Sequence, residues 1–269
     1  GPHLSAIEPR SGAPRPIIGV IHLPALPGSS ASPGLGEVLK RALTDLAALE
    51  GGGVHGVLVS NDGDEPRRMK AGAETISALT RVAHEIVHAS NGVKVGVQVL
   101  LNDPDASVAV AHMAGAAFIR TDFFVDPMQR PEYGAIEIAP KWLVEYRASL
   151  GARDVLILAD VQVKYAQMID PRPLAESAAE AAECAADAIV VTGSVTGEAP
   201  VWTSVREAKQ GAGRCPVLVG SGLDLSNAAD LLRTADGAIV GTSLKTGAYV
   251  DAGKVRALMT AVGALDSLP

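Results

Sequence analysis

The sequence predicts a single (β/α)8 barrel, the TIM-barrel fold of the α/β class. Eight short apolar segments rich in β-branched residues recur along the 269-residue chain, with helix-period stretches between them. The Val and Ile runs are nearly continuous, which is typical of parallel strands buried on both faces. About 250 residues suffice for such a barrel, whereas an open doubly wound sheet more often has about five or six strands.

In the first half of the chain, four predicted strands alternate with helices. The strands are IIGVIHL (17–23), GVLVSND (56–62), VGVQVLLND (95–103) and FIRTD (118–122). Each is a short apolar run that closes on a polar residue or leads into a loop, as at the carboxyl end of a barrel strand. Alanine-rich stretches at 37–50, 71–90 and 106–114 suit helices that pack closely on a sheet.

The second half repeats this alternation. Its predicted strands are VLILADVQVKY (155–165), AIVVTGS (188–194), PVLVGSG (216–222) and GAIVGTS (237–243), with helices at 142–150, 174–186, 226–233 and 254–265. The last helix carries Val255, Leu258, Met259 and Val262 on one stripe, which would seal the outer ring of helices. Residues 1–15, which open with Gly-Pro-His-Leu like the scar of a cleaved tag, are expected to be an extension, and the barrel domain is placed at 16–269.

Composition narrows the classes of partner. The 23 Lys and Arg residues against 30 Asp and Glu give a net charge of −7, so broad attraction to nucleic acid or anionic lipid is not expected. Only 3% of residues are aromatic, which disfavours stacking on bases. The apolar runs are too short to span a bilayer. Cys184 and Cys215 form neither a disulfide framework nor a metal pattern, so we expect a protein of the reducing cytoplasm.

Polar residues gather where the predicted strands end and the helices begin, which is the face that carries the chemistry of such barrels. His22 closes the first strand, Asn61 and Asp62 the second, and Asn102 the third. The fourth and fifth strands add Arg120, Asp122, Asp160 and Lys164. The sequence predicts that catalytic groups come from this set of eight residues.

The fifth strand has polar residues at alternate positions. Asp160, Gln162 and Lys164 should therefore point the same way, into the barrel. In that position Asp160 could move a proton, and Lys164 could act as a general acid, a charge stabiliser or a Schiff-base amine. A structural ion pair that fills the barrel is the alternative.

A phosphate site is predicted at the last two strands. VLVGSGLD and GAIVGTSLK each place small residues just after a buried strand, where backbone N–H groups can approach an anion closely. The alternative is that the glycines only permit tight turns. With the end of the sixth strand included, the predicted phosphate-binding residues are Thr192, Gly193, Gly220, Ser221, Gly222, Gly241, Thr242 and Ser243.

A metal site and a lid are two further expectations for the active face. Asp62, Asp122 and Asp160 could share a divalent cation such as Mg²⁺ with phosphate oxygens, although no spacing requires it and no zinc motif is present. The long segment FFVDPMQRPEYG after the fourth strand is either a lid over the site or an interface loop. We expect a homo-oligomer on the second interpretation.

Taken together, the motifs HLPALPGS, SNDGDEP, LLND, FIRTD, ILADVQVKY, VVTGSVTG, VLVGSGL and IVGTSLKTG resemble the BtpA family, over about 16–265. The resemblance implies a barrel related to the ribulose-phosphate-binding barrels. It also implies enzymatic action on a phosphorylated sugar or a nucleoside-like compound. The sequence departs from the family pattern at Ser60, Leu101, Asp122 and Tyr165, all at the expected active face, which suggests a branch with an altered substrate.

The resulting hypothesis is an intracellular barrel enzyme that binds a phosphorylated small molecule and acts as a lyase, an isomerase or a glycosyl transferase or hydrolase. Two alternatives stay open. One is an aldolase that forms a Schiff base through Lys164. The other is a non-enzymatic assembly factor, as the family's cyanobacterial role in photosystem I biogenesis implies.

Overall fold

A computed structural model describes residues 15–193 and 199–266, in which eight parallel strands close into a barrel. Neighbours around the barrel are neighbours along the chain, so the predicted (β/α)8 fold is confirmed. The barrel strands are β1 (Ile17–His22), β2 (Gly56–Ser60), β3 (Lys94–Gln98), β4 (Phe118–Thr121), β5 (Leu156–Asp160), β6 (Ala188–Val191), β7 (Val217–Val219) and β8 (Gly237–Val240). The predicted extension falls almost entirely on 1–14, outside the described residues.

Helices surround the barrel. They are α1 (Leu35–Gly52), α2 (Ala73–Ala89), α3 (Pro104–Ala114), α4 (Pro140–Ser149), α5 (Leu174–Glu183), α6 (Trp202–Ala212), α7 (Ala228–Leu232) and α8 (Ala252–Asp266). The sequence did not predict α6, because this largely polar helix buries only Val205, Ala208 and Ala212. Within the described ranges, no helix has both the length and the apolar character needed to cross a bilayer.

Phe118 fills the centre of the barrel. Its side chain is fully buried and packs with inward-facing aliphatic residues of the other strands, such as Ile18, Leu158 and Ile239. Glycine is required opposite this ring, because a Cβ atom on Gly96 would lie 2.1 Å from the Phe118 ring. Between the strands and the helices, a second and larger layer of Val, Leu, Ile and Ala side chains completes the core.

A small antiparallel sheet stands beside the carboxyl ends of the barrel strands. Its strands are Gly134–Ile136, Met128–Arg130 and Gln167–Met168, so it joins the loop after β4 to the loop after β5. A separate apolar cluster lies beneath it, with Phe123, Met128 and Val163 at its centre. We call this sheet the cap. The predicted long loop after β4 is therefore mostly ordered structure on the active face, and its expected role at an oligomer interface stays a prediction.

The cap is tied to the loop after β2 by one hydrogen bond, in which the Tyr133 hydroxyl donates to the Arg67 carbonyl at 2.6 Å. We expect Tyr133→Phe to destabilise the fold by about 1 kcal/mol, because one partly buried hydrogen bond is lost. Urea denaturation measures this loss, and amide hydrogen exchange should show faster opening of 128–136. A Tyr146→Phe variant on α4 is the control, because the Tyr146 hydroxyl donates no hydrogen bond among the described residues. Unchanged exchange in the cap would contradict the prediction.

Candidate active site

A cavity of about 620 Å³ opens at the carboxyl ends of the strands, and all eight strands or the loops after them contribute to its wall. Most residues that the sequence singled out line it. They are His22, Asp62, Arg120, Asp122, Asp160, Lys164, Thr192, Gly193, Gly220, Ser221, Gly222, Gly241, Thr242 and Ser243. The clustering follows from topology, because parallel strands in a closed barrel end at one face.

Arg120 is the central cation of the cavity floor. Its Nε and Nη2 atoms donate to the two carboxylate oxygens of Asp160, each at 2.8 Å. Nη2 also donates to the Gly220 carbonyl at 3.3 Å, so the guanidinium lies directly under the turn after β7. Arg120 is two residues after Phe118 on β4 and points inward for the same reason of strand alternation. Asp160 fixes this guanidinium in place.

A second carboxylate, Asp122, lies beside the pair, with its Oδ1 atom 3.8 Å from Arg120 Nε. It accepts hydrogen bonds from Gln98 Nε2 at 2.8 Å and from the Tyr165 hydroxyl at 2.5 Å. Neither Gln98 nor Tyr165 was among the predicted catalytic residues, although Tyr165 was expected at the active face. Gln98 carried a usable signal, because it is a polar residue that follows the apolar run Val95–Val97 and shares its strand face with Gly96.

Two carboxylates with one guanidinium leave this cluster with an excess of negative charge. Burial, together with the neighbouring Asp122, raises the pKa of Asp160 to about 6, although Arg120 acts in the opposite direction. Burial alone would lower the pKa of Arg120, but Asp160 and Asp122 outweigh it and raise that pKa. Burial and Asp122 also raise the pKa of Tyr165 well above its usual value. Tyr165 therefore stays protonated and serves as a hydrogen-bond donor.

His22 lies on the other side of the cavity, at the end of β1. Its Nε2 atom is 3.6 Å from Asp62 Oδ2, and the same carboxylate oxygen accepts from the Ser60 hydroxyl at 2.5 Å. Burial lowers the pKa of His22, while Asp62 opposes that shift. The imidazole is therefore neutral at pH 7. Its Nδ1 atom is buried and has no hydrogen-bond partner among the described residues.

The turns after β7 and β8 face these polar groups. A Cβ atom on Gly241 would lie 2.8 Å from His22 Cε1, and one on Gly220 would lie 2.8 Å from Arg120 Nη2. Gly222 has a φ of 71°, which favours glycine. The tight-turn interpretation therefore accounts for Gly222, whereas the close approach of neighbouring side chains accounts for Gly220 and Gly241.

Several donors of the two turns have no acceptor within the part of the chain that the structure describes. They are the backbone N–H groups of Gly222, Thr242 and Ser243. The Thr192 hydroxyl is also buried without a partner there. Two other groups are already used, because Gly193 N–H donates to Ser221 Oγ at 3.0 Å and Ser243 Oγ donates to the Leu223 carbonyl at 2.7 Å. The remaining donors suit an anionic ligand.

The predicted alternation along the fifth strand is wrong beyond Asp160. The strand ends there, and Gln162 adopts a φ of 50°. The Gln162 amide consequently leaves the cavity and donates to Ser177 Oγ at 2.8 Å and to the Arg172 carbonyl at 3.0 Å. Lys164 is exposed at the rim, so it is not the buried amine partner of Asp160. Arg120 takes that place.

Asn61 and Asn102 are not part of the cavity wall, contrary to prediction. Asn61 Oδ1 accepts from Leu100 N–H at 2.7 Å, which holds the loop after β3. Asn102 Nδ2 donates to the Glu137 carbonyl at 2.7 Å, beside a separate small pocket under α4. Both side chains are buried and shape loops, because local backbone groups needed polar partners.

The expected cation site is not supported by the geometry. Asp122 and Asp160 flank the Arg120 guanidinium, which already supplies their positive charge. Asp62 belongs to a separate group with Ser60 and His22. Over 15–193 and 199–266, no cluster of three or more His, Cys, Asp or Glu side chains is arranged to hold a metal ion.

Comparison with known proteins decides the family. The sequence model of the BtpA family matches residues 13–264. The chain belongs to the BtpA family. An uncharacterized protein of Archaeoglobus fulgidus is 35% identical over 91% of the chain and 97% of its own length. The photosystem I biogenesis protein BtpA of Synechocystis is 36% identical over 86% of the chain and 80% of its own length.

Solved structures with the same fold share little sequence with this BtpA-family chain. Phosphoribosyl anthranilate isomerase from Thermus thermophilus has a TM-score of 0.59 at 14% identity and covers 93% of the chain and 99% of its own. Thiamine phosphate pyrophosphorylase from Pyrococcus furiosus has a TM-score of 0.58 at 16% identity, with 94% and 97% covered. At these identities the similarity shows the TIM-barrel fold alone.

Proposed function

We propose that this protein is an enzyme that acts on a phosphorylated sugar or a phosphorylated nucleoside-like molecule. One observation carries the proposal. The turns after β7 and β8 lie in contact with Arg120 and His22, and some of their N–H groups have no acceptor in the described part of the chain. A phosphate group bound by these turns would place the rest of the molecule over a fixed cation and a neutral imidazole. Phosphate binding far from the bond that reacts can supply orientation and binding energy.

Arg120 provides electrostatic stabilisation in this proposal. Asp160 binds one edge of its guanidinium through two hydrogen bonds, and the Arg120 side chain is only 12% exposed. A preorganised cation in a partly dry cavity stabilises negative charge that develops on a substrate oxygen. Asp160 is then a positioning residue for Arg120. This role replaces direct proton transfer between Asp160 and Lys164.

His22 is the proposed proton-transfer residue. A neutral imidazole can accept a proton, and Asp62 stands where it can stabilise the imidazolium that forms. The 3.6 Å separation between Nε2 and Oδ2 is longer than a hydrogen bond, as catalytic contacts often are before substrate binds. Proton transfer of this kind is common to isomerases, lyases and glycosyl-transfer enzymes, so these classes remain within the proposal.

The names of the structural neighbours agree with this substrate class. Phosphoribosyl anthranilate isomerase and thiamine phosphate pyrophosphorylase are both named for phosphorylated compounds. These two neighbours support the substrate class only by analogy of fold, because the function of a protein depends on its individual site. The aldolase alternative is not favoured, because an exposed Lys164 lacks the apolar pocket that activates a Schiff-base amine. The name of the Synechocystis relative is the support for an assembly role.

Phosphate dependence tests the proposal. An extract of small metabolites is incubated with the protein before and after phosphatase treatment, and depletion of each compound is followed by mass spectrometry. We expect at least one phosphorylated compound to be consumed, and its dephosphorylated form to be consumed at least about a hundredfold more slowly. Equal consumption of the two forms would reject the phosphate site. Consumption of no compound would favour the assembly role.

His22→Gln should reduce turnover of the compound so identified by about 10²–10⁴-fold, because the proton-transfer group is lost. The KM of the compound should change less than its kcat, since glutamine preserves polar contacts. His84→Gln is the matched control, because His84 is exposed on α2 and does not line the cavity. Turnover by His22→Gln within threefold of the parent protein would exclude His22 as the acid or base.

A further inference from the structure

A second pocket adjoins the active-site cavity. Its volume is about 600 Å³, and it lies among the loops that follow β1, β2 and β8. The two spaces share His22, Asp62 and Thr242, which therefore form the partition between them. On the far side of this partition, the pocket is lined by Arg41 of α1 and by Lys245. Any molecule bound beside His22 in one space is thus within reach of the other.

Arg41 and Lys245 are half-buried cations that form no ion pair among the described residues. Within the described residues, neither side chain has a carboxylate within 4.0 Å or a hydrogen-bond acceptor. Arg41 is held by stacking over the Tyr249 ring at 5.2 Å. Lys245 begins a short strand, Lys245–Thr246, that pairs with Tyr249–Val250. The two cations are therefore positioned by their own local structure.

The nearby carboxylate of Asp45 does not pair with these cations. It is 4% exposed, and its Oδ1 atom accepts from Val250 N–H at 3.0 Å, which fastens the strand pair to α1. Burial raises the pKa of Asp45, and the charges of both cations oppose that shift, but neither cation lies within 4.0 Å of its carboxylate. Keeping two such cations half-buried costs solvation, which a bound anion would offset.

We propose that this second pocket binds a second anionic group of the same substrate, so that the substrate class is a bisphosphate or a phosphorylated sugar acid. The inference rests on the proposed function, which places one phosphate at the turns after β7 and β8. The second group would lie against Arg41 and Lys245. The reacting part of the molecule would then lie between the two anionic groups, beside His22. Binding at both ends would orient that part without additional contacts.

Two probes separate this inference from the proposed function. Isothermal titration calorimetry measures the Kd of ribose 5-phosphate, with one anionic group, and of ribulose 1,5-bisphosphate, with two. We expect the bisphosphate to bind at least about tenfold more tightly. Arg41→Gln and Lys245→Gln should each weaken the bisphosphate about tenfold and leave ribose 5-phosphate within twofold. Lys40→Gln is the control, because Lys40 is exposed beside Arg41 on α1 and does not line the pocket.

The possible failures are distinct. Equal affinities for the two probes, with no effect of either substitution, would reject the second subsite while the phosphate site stands. Two bisphosphate molecules per chain would show separate anion sites and would also reject a single two-ended substrate. Absence of binding by both probes at millimolar concentration would reject the phosphate site, and this inference with it.

Discussion

Arg120→Ala is expected to destabilise the fold by about 3–5 kcal/mol at pH 7, because it leaves a buried carboxylate without its partner. Asp160 is 1% exposed and accepts both of its short hydrogen bonds from Arg120. Urea denaturation followed by circular dichroism gives the free energy of unfolding for the parent and the variant.

The stability lost in Arg120→Ala should become smaller as the pH falls. Arg120 lowers the pKa of Asp160, so without it this folded-state pKa rises above the value of about 6 found in the parent. The unfolded value is about 3.9. Because the folded variant then binds a proton more strongly than the unfolded chain, its stability increases as pH falls from 7 toward 4. The difference between parent and variant should therefore shrink over that range.

A double variant, Arg120→Met with Asp160→Leu, is the control for this experiment. It removes Arg120 and Asp160 together and leaves Asp122 with its hydrogen bonds from Gln98 and Tyr165, so we expect it to recover most of the stability that Arg120→Ala loses. It should nevertheless abolish turnover of the phosphorylated compound. A stability loss for Arg120→Ala below about 1 kcal/mol, or one that does not vary with pH, would contradict the proposed arrangement of charges.

Phe118→Ala is expected to cost about 3–5 kcal/mol, since it empties the centre of the barrel. The ring is fully buried among strands that cannot close on it without disturbing the whole sheet. The same urea titration measures the loss. Met113→Ala is the control, because Met113 is 66% exposed and its removal should change stability by no more than about 0.5 kcal/mol.

Gly96 provides a further test of the same packing. Gly96→Ala alone should destabilise the protein, because its Cβ atom would lie 2.1 Å from the Phe118 ring. In the Phe118→Ala background the same substitution should cost less, as the added methyl group enters the vacated space. Additive losses from the two substitutions would show that they do not share one contact.

The barrel could be predicted from the sequence because its signal is local. Continuous Val and Ile runs such as VLILAD and GAIV mark strands buried on both faces, and these were found at the expected places. Helix α6 was missed because it is largely polar and its buried residues, Val205, Ala208 and Ala212, are few and small. The predicted extension of the fifth strand failed because alternation cannot reveal where a backbone turns, as it does at Gln162.

The candidate site was predictable only as far as topology determines it. Strand ends meet at one face, so Arg120, Asp160 and His22 could be grouped without coordinates. The partner of each side chain could not be predicted. Asn61 and Asn102 bind loop backbone instead, and Arg41 reaches the adjoining pocket from a helix. Such contacts depend on loop conformation, which residue patterns along the chain do not encode.

The position of the cap affects where small molecules can enter and leave the cavity. The cap stands beside the carboxyl ends of β4 and β5, and the Tyr133 hydroxyl links it to the loop after β2. On the opposite side, the described loops after β7, β8 and β1 lie outside this sheet, so we expect small molecules to enter there. The Arg41 and Lys245 side chains stand along that route. An anionic molecule entering there would meet two cations, in a protein whose overall charge is −7.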